Sequence, residues 1–96
     1  MLTALFISCI VSTAGVKECS VSFTEMEMVG PRAEQCTSAA KQIQQIAMDN
    51  VLLERKGSTV VQQDAKCGER IEMYDEALDT YNDFVAEGIP TALFEF

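Results

Sequence analysis

Ninety-six residues, 48% of them apolar and 23% charged, make one domain with a modest core and are too apolar for a disordered chain. The absence of histidine excludes Ser-His-Asp triads, Cys-His dyads and histidine-based metal sites. The net charge is −8, of which the segment 69–96 holds −7, a surface that repels phosphate backbones and steers toward a basic protein partner rather than a nucleic acid.

The first sixteen residues carry no charged side chain, and Leu2, Ala4, Leu5, Phe6, Ile7, Cys9, Ile10 and Val11 make most of them apolar. Three readings compete for this stretch. A secretory signal would be cut before Gly15, after small residues at Ser12 and Ala14, but lacks the usual basic start. A membrane span needs roughly 20 residues, more than are available. A strand buried on both faces suits the β-branched and apolar content.

From Lys17 the pattern becomes strand-like, with Cys19, Val21 and Phe23 on one face and Ser20, Ser22 and Thr24 on the other. The phase then slips, because Met26 and Met28 are apolar at even positions with Glu25 and Glu27 between them. A bulge or break near Thr24 is therefore expected. The two thioethers would suit Cu(I), although alternating methionines more commonly fill gaps in a core.

Gly30-Pro31 opens an amphipathic helix running to Asn50, with Cys36, Ala40, Ile43 and Ala47 at spacings of three and four. Val51 to Lys56 could prolong it to a Gly57 cap. Periodicity does not decide the structure beyond Gly57, since Val60 to Val85 can be read as one helix or as a strand starting at Thr59 and then a helix. Geometry favours the strand if Cys36 and Cys67 pair. Two helices meeting at Gly57 would offset these cysteines axially by about 16 Å, whereas a disulfide needs Cα atoms within about 7 Å. A helix ending near Asn50 and a strand returning about 30 Å would bring Cys67 back beside Cys36.

Glu69 to Glu87 forms the second helix, with Ile71, Tyr74, Ala77, Leu78, Tyr81, Phe84 and Val85 on its apolar side, Gly88 at its end and Pro90 beyond. Acidic residues at 72, 75, 76, 79 and 83 line an opposite stripe. The tail carries Leu93, Phe94 and Phe96, too apolar for a free end. The expected partner-binding set is therefore Asp75, Asp79, Asp83, Leu93, Phe94 and Phe96, an acidic field with apolar anchors beside it.

Four cysteines allow three connectivities. Cys9 and Cys19 are symmetric about Ala14, so a hairpin turning at 12–16 would oppose them and leave Cys36 with Cys67. Removal of a signal would leave three cysteines, and a cytosolic chain would keep them reduced. Their spacings match no zinc pattern. Candidates for acid–base chemistry would be paired carboxylates such as Glu72 with Asp75 or Glu76, and they carry no motif, so neither catalytic residue, metal nor cofactor is expected.

The apolar start with Cys9, the second cysteine Cys19, Gly30-Pro31 before the helix holding Cys36, and the return to Cys67-Gly68 resemble small uncharacterised proteins of alphaproteobacteria and their phages. The resemblance covers roughly residues 1–68 and implies a compact, exported ββαβ unit; it carries no activity. This chain departs from it in the acidic helix and tail. The expected fold is a small α+β domain: a β-hairpin, a helix and a strand stapled by disulfides, with an appended acidic C-terminal helix. The expected role is non-catalytic, an interaction or structural protein in an exported or phage context, with an acidic inhibitor or DNA mimic as the alternative and a cytoplasmic location as the alternative setting.

Overall fold

The computed structural model describes residues 2–27 and 32–95. In chain order these form β1 (Leu2–Val11), β2 (Lys17–Met26), α1 (Ala33–Glu54), β3 (Thr59–Gly68), α2 (Arg70–Ala86) and β4 (Thr91–Glu95). The uncharged stretch Leu2–Val11 needs cover on both faces, and it obtains it as an inner strand of a four-stranded sheet of order β3-β1-β2-β4. β1 pairs antiparallel with β2 and β3, and β4 runs parallel to β2 at the other edge.

Alternation along β1 sorts the core into two layers. Its odd residues Leu5 and Cys9 join Cys19, Val21 and Phe23 of β2 beneath Met73, Ala77 and Phe84 of α2. Its even residue Ala4 packs with Ala40 of α1 and Ala65 of β3. The helices thus lie on opposite faces, α1 over β3 and β1, and α2 mainly over β2, β1 and β4. The buried stripe of α1 is Cys36, Ala40, Gln44 and Met48, one residue per turn.

The hairpin turn falls at 12–16, where Ser12 N–H donates to the Val16 carbonyl at 3.0 Å and Gly15 takes φ of 81°. Gly88 closes α2 in the left-handed conformation at φ 78°. Its N–H donates to Val85 O, and that of Ile89 to Phe84 O, while Ile89 packs on the cluster containing Phe84. This is the double hydrogen bond and apolar clasp of a glycine-terminated helix.

Several expectations are corrected. β2 keeps an unbroken register from Lys17 to Met26 with no bulge at Thr24. Glu25 remains exposed because it lies at the strand end, where Arg70 at the start of α2 meets it at 2.9 Å. The irregularity lies in β3 instead, where the register with β1 shifts beside Cys9 and Ile10. α1 passes Asn50 and ends at Glu54. The acidic helix is not the end of the chain: it is followed by β4, which joins the sheet. The proposed Gly30-Pro31 start and Met28 lie outside the described residues.

Candidate interaction surfaces

Both disulfides are set by strand and helix geometry. Cys9 and Cys19 are direct partners across the hairpin with Cα atoms 4.0 Å apart. The Cys19 N–H turns away from β1 to donate to Pro90 O at 3.0 Å, so this is a non-hydrogen-bonded pair, the kind whose side chains approach most closely. Cys36, fully buried on α1, bonds Cys67 of β3 with Cα atoms 5.9 Å apart. Beside it, Cys67 N–H donates to Thr37 Oγ1 at 3.1 Å. Two disulfides in one small chain fit an oxidising, exported setting. No helix among the described residues is long and apolar enough to cross a membrane.

α2 presents three faces. Met73, Ala77 and Phe84 are buried. Glu72, Asp75, Asp79 and Asp83 are exposed, and none of them enters an ion pair among the described residues; of the carboxylates on this helix only Glu76 does, with Lys66 of β3. Between these faces runs a third row that helical periodicity assigned to the core: Ile71 is 76% exposed, with Tyr74 and Val85 about half exposed. The Tyr74 ring meets Phe23 edge-on with centroids 5.5 Å apart, so this apolar row faces the β2 side while Glu76 and Lys66 mark the β3 side.

The expected partner-binding set is therefore divided. Leu93 lies opposite Val21 and shares the α2 side of the sheet, whereas Phe94 lies opposite Ser22 on the α1 side. Asp75, Asp79, Asp83 and Leu93 remain on one side of the molecule, and Phe94 is removed from them by the thickness of the sheet. Phe96 lies outside the described residues. The exposed apolar residues beside the acid stripe are Ile71, Tyr74 and Val85, which periodicity alone could not separate from the buried row one residue away.

Two arginines are engaged at the ends of the sheet. Arg55 at the end of α1 bonds Glu18 at 2.7 Å, and Arg70 bonds Glu25 and Glu95 at 2.9 and 3.3 Å, the last three lining a polar recess at the ends of β2 and β4. A cleft of about 600 Å³ runs along the β3 edge, lined by Lys41, Gln45, Gln63, Asp64, Lys66 and Glu76 among others. Its polar groups bond one another: Gln63 Nε2 donates to Gln45 Oε1 at 3.1 Å, and Lys66 pairs with Glu76. Gln44, almost fully buried, donates through Nε2 to Ile7 O at 3.0 Å and Asp64 O at 2.9 Å, fastening α1 to the β1–β3 ladder. No protein-family model, curated protein or solved structure matches the chain.

Proposed function

We propose that the protein is a non-catalytic, disulfide-stapled interaction module of an exported or phage-associated setting, and that its α2 face binds a basic protein. The observation that supports this is the exposed row Glu72, Asp75, Asp79 and Asp83, without ion pairs among the described residues, beside the exposed apolar row Ile71, Tyr74 and Val85. Repulsion along that row opposes compactness, so its density exceeds what solubility requires. Acid of this kind steers the encounter with a cationic partner, and an adjacent desolvated tyrosine holds the complex. If the partner's site normally takes phosphates, the same face acts as an acidic inhibitor or DNA mimic, and added duplex DNA then competes with it.

The test compares the native chain, a triple variant with Asp75, Asp79 and Asp83 each replaced by Asn, and Tyr74→Ala, as baits for basic proteins at low and high salt. Support would be recovery of the same basic protein by the native chain, lost at high salt and in the triple variant and weakened in Tyr74→Ala. Equal, salt-insensitive recovery by all three would remove the reading. Deleting β4 is not a usable test, because it strips an edge from the sheet.

A further inference from the structure

Helix α1 is apolar around about half of its circumference, and its own sheet covers only part of that. At about 100° per residue, Gln45 lies on the β3 side of the buried stripe, where Gln63 bonds it. The other flank and the crest carry Ala39, Ile43, Ile46, Ala47 and Leu53, with Ile43, Ile46 and Leu53 exposed by 49%, 64% and 74%. Positions 39, 43, 46, 50 and 53 repeat as four, three, four and three, the spacing of a helix–helix seam, with Asn50 as its single polar member.

On the same side of the sheet, β2 and β4 have no helix above them among the described residues. Ile10, Ala92 and Phe94, with Met48 and Val51 of α1, line an apolar groove there of about 310 Å³. Ridge and groove are adjacent on one face, which is the arrangement a two-fold axis makes self-complementary. We propose that a second copy of the chain covers this face: the two α1 helices meet flank to flank and parallel, about a two-fold axis that runs between them along their length, and the crest of each lies over β2 and β4 of the other.

The dimensions point to a second copy as the occupant. Two adjacent strands span about 10 Å, and a helix with its side chains is about 10 Å across, so the open strip admits one helix. The 22 residues of α1 are about 33 Å long, as is β2, whereas the five residues of β4 span about 17 Å, so the helix covers about 250 Å² of the strip in projection. Each chain contributes one helix and one strip, about 500 Å² in projection, and accessible area exceeds projected area, which brings the contact toward the ~800 Å² per partner of a specific interface.

Charge points the same way. Residues 1–68 sum to −1, and the −7 of segment 69–96 sits mainly on α2, across the sheet from this face. Pairing through α1 therefore places the two acidic helices at opposite ends of the assembly and brings nearly neutral surfaces together. Both α2 faces stay open, so the dimer and the binding of a basic partner are independent claims.

The experiment is sedimentation equilibrium of the full chain with its disulfides intact, across a micromolar concentration series at low and high salt, for the native protein, Ile46→Glu, Leu53→Glu and Ile71→Glu. The expected native species has the mass of two 10.6 kDa chains, and salt strengthens it by screening the net repulsion. Ile46→Glu and Leu53→Glu weaken association by about tenfold or more. Both residues are exposed in the single chain, so circular dichroism of the dilute variants stays native, while Ile71→Glu leaves the dimer intact. A native monomer throughout the series would overturn the proposal. So would a dimer that Ile46→Glu and Leu53→Glu leave unchanged, or one that Ile71→Glu abolishes.

Discussion

Cys36 and Cys67, separated by 31 positions in the chain, sit 5.9 Å apart at Cα and are bonded, tying the first turn of α1 to the last residues of β3. The loop they close is three times longer than the ten-residue separation of Cys9 and Cys19. On the chain-entropy model the longer loop contributes about 3–4 kcal/mol and the shorter about 2–3 kcal/mol. Replacing Cys36 and Cys67 together by Ala is therefore expected to cost about 1 kcal/mol more than replacing Cys9 and Cys19, as read from urea midpoints at equal m. Equal midpoints would show that native packing, rather than loop length, sets the two contributions.

Gln44 is a buried amide between α1 and the sheet, and its two hydrogen bonds reach main-chain carbonyls of neighbouring strands. Gln44→Met keeps the volume and removes both bonds, for an expected loss of about 1–2 kcal/mol. Gln44→Ala adds a cavity and should cost more, about 2–4 kcal/mol. Denaturant titration of both variants with intact disulfides checks the order; a neutral Gln44→Met would mean that the amide contributes by packing alone.

The cysteine geometry is legible in the sequence because it rests on lengths. The symmetry of Cys9 and Cys19 about Ala14 locates the hairpin, and the axial offset that two helices would impose on Cys36 and Cys67 selects a returning strand. β4 is not legible as a strand. Ala92, Leu93 and Phe94 are apolar without alternation, and the parallel pairing with β2 that organises them is a contact across the whole chain. The rotation of α2 is hidden for a related reason: Ile71, Tyr74, Leu78 and Val85 form as good a helical row as Met73, Ala77 and Phe84, and only the sheet decides which is buried. Glu25 signals a bulge because its partner, Arg70, lies 45 positions away. The candidate site is the least legible part, since spacing reveals its acidic half and puts Phe94 beside it, whereas β4 carries Phe94 on the other face of a sheet that the local pattern does not announce.

Gly57, in the turn between α1 and β3, has φ of 86°, and a Cβ placed there would collide with the Thr13 side chain from the hairpin turn. Gly15 has φ of 81° and open space around it. Gly15→Ala should therefore cost only the left-handed penalty, about 1–2 kcal/mol, while Gly57→Ala adds displacement of Thr13 and should cost roughly 1 kcal/mol more. Pairing Gly57→Ala with Thr13→Ser, which removes the colliding methyl, should recover the difference in thermal unfolding. No recovery would mean that the two turns do not touch in solution.

Neutralising the acid row should stabilise the isolated chain. Asp75, Asp79 and Asp83 repeat at four residues on the exposed side of α2, and Asp83 lies in the last turn, where the helix dipole disfavours a negative charge. Replacing the three by Asn is expected to add about 0.5–1 kcal/mol at low salt, fading as salt is raised. A variant destabilised at every salt concentration would show that these carboxylates serve the fold, and the α2 face would lose its standing as a binding surface.

The whole fold depends on the uncharged segment Leu2–Val11 being an inner strand, since removing it would take away both neighbours' pairing partner and one cysteine of a bridge. The most direct measurement is the intact mass of the protein recovered without reductant, before and after reduction and alkylation, followed by a peptide map of the unreduced chain. The fold predicts that residues 2–11 are present, that no thiol is alkylated before reduction and four are alkylated after it, and that the linked peptides join Cys9 to Cys19 and Cys36 to Cys67. A mature chain beginning at Gly15, thiols free before reduction, or linkage of Cys9 or Cys19 to either of the other two cysteines would contradict it.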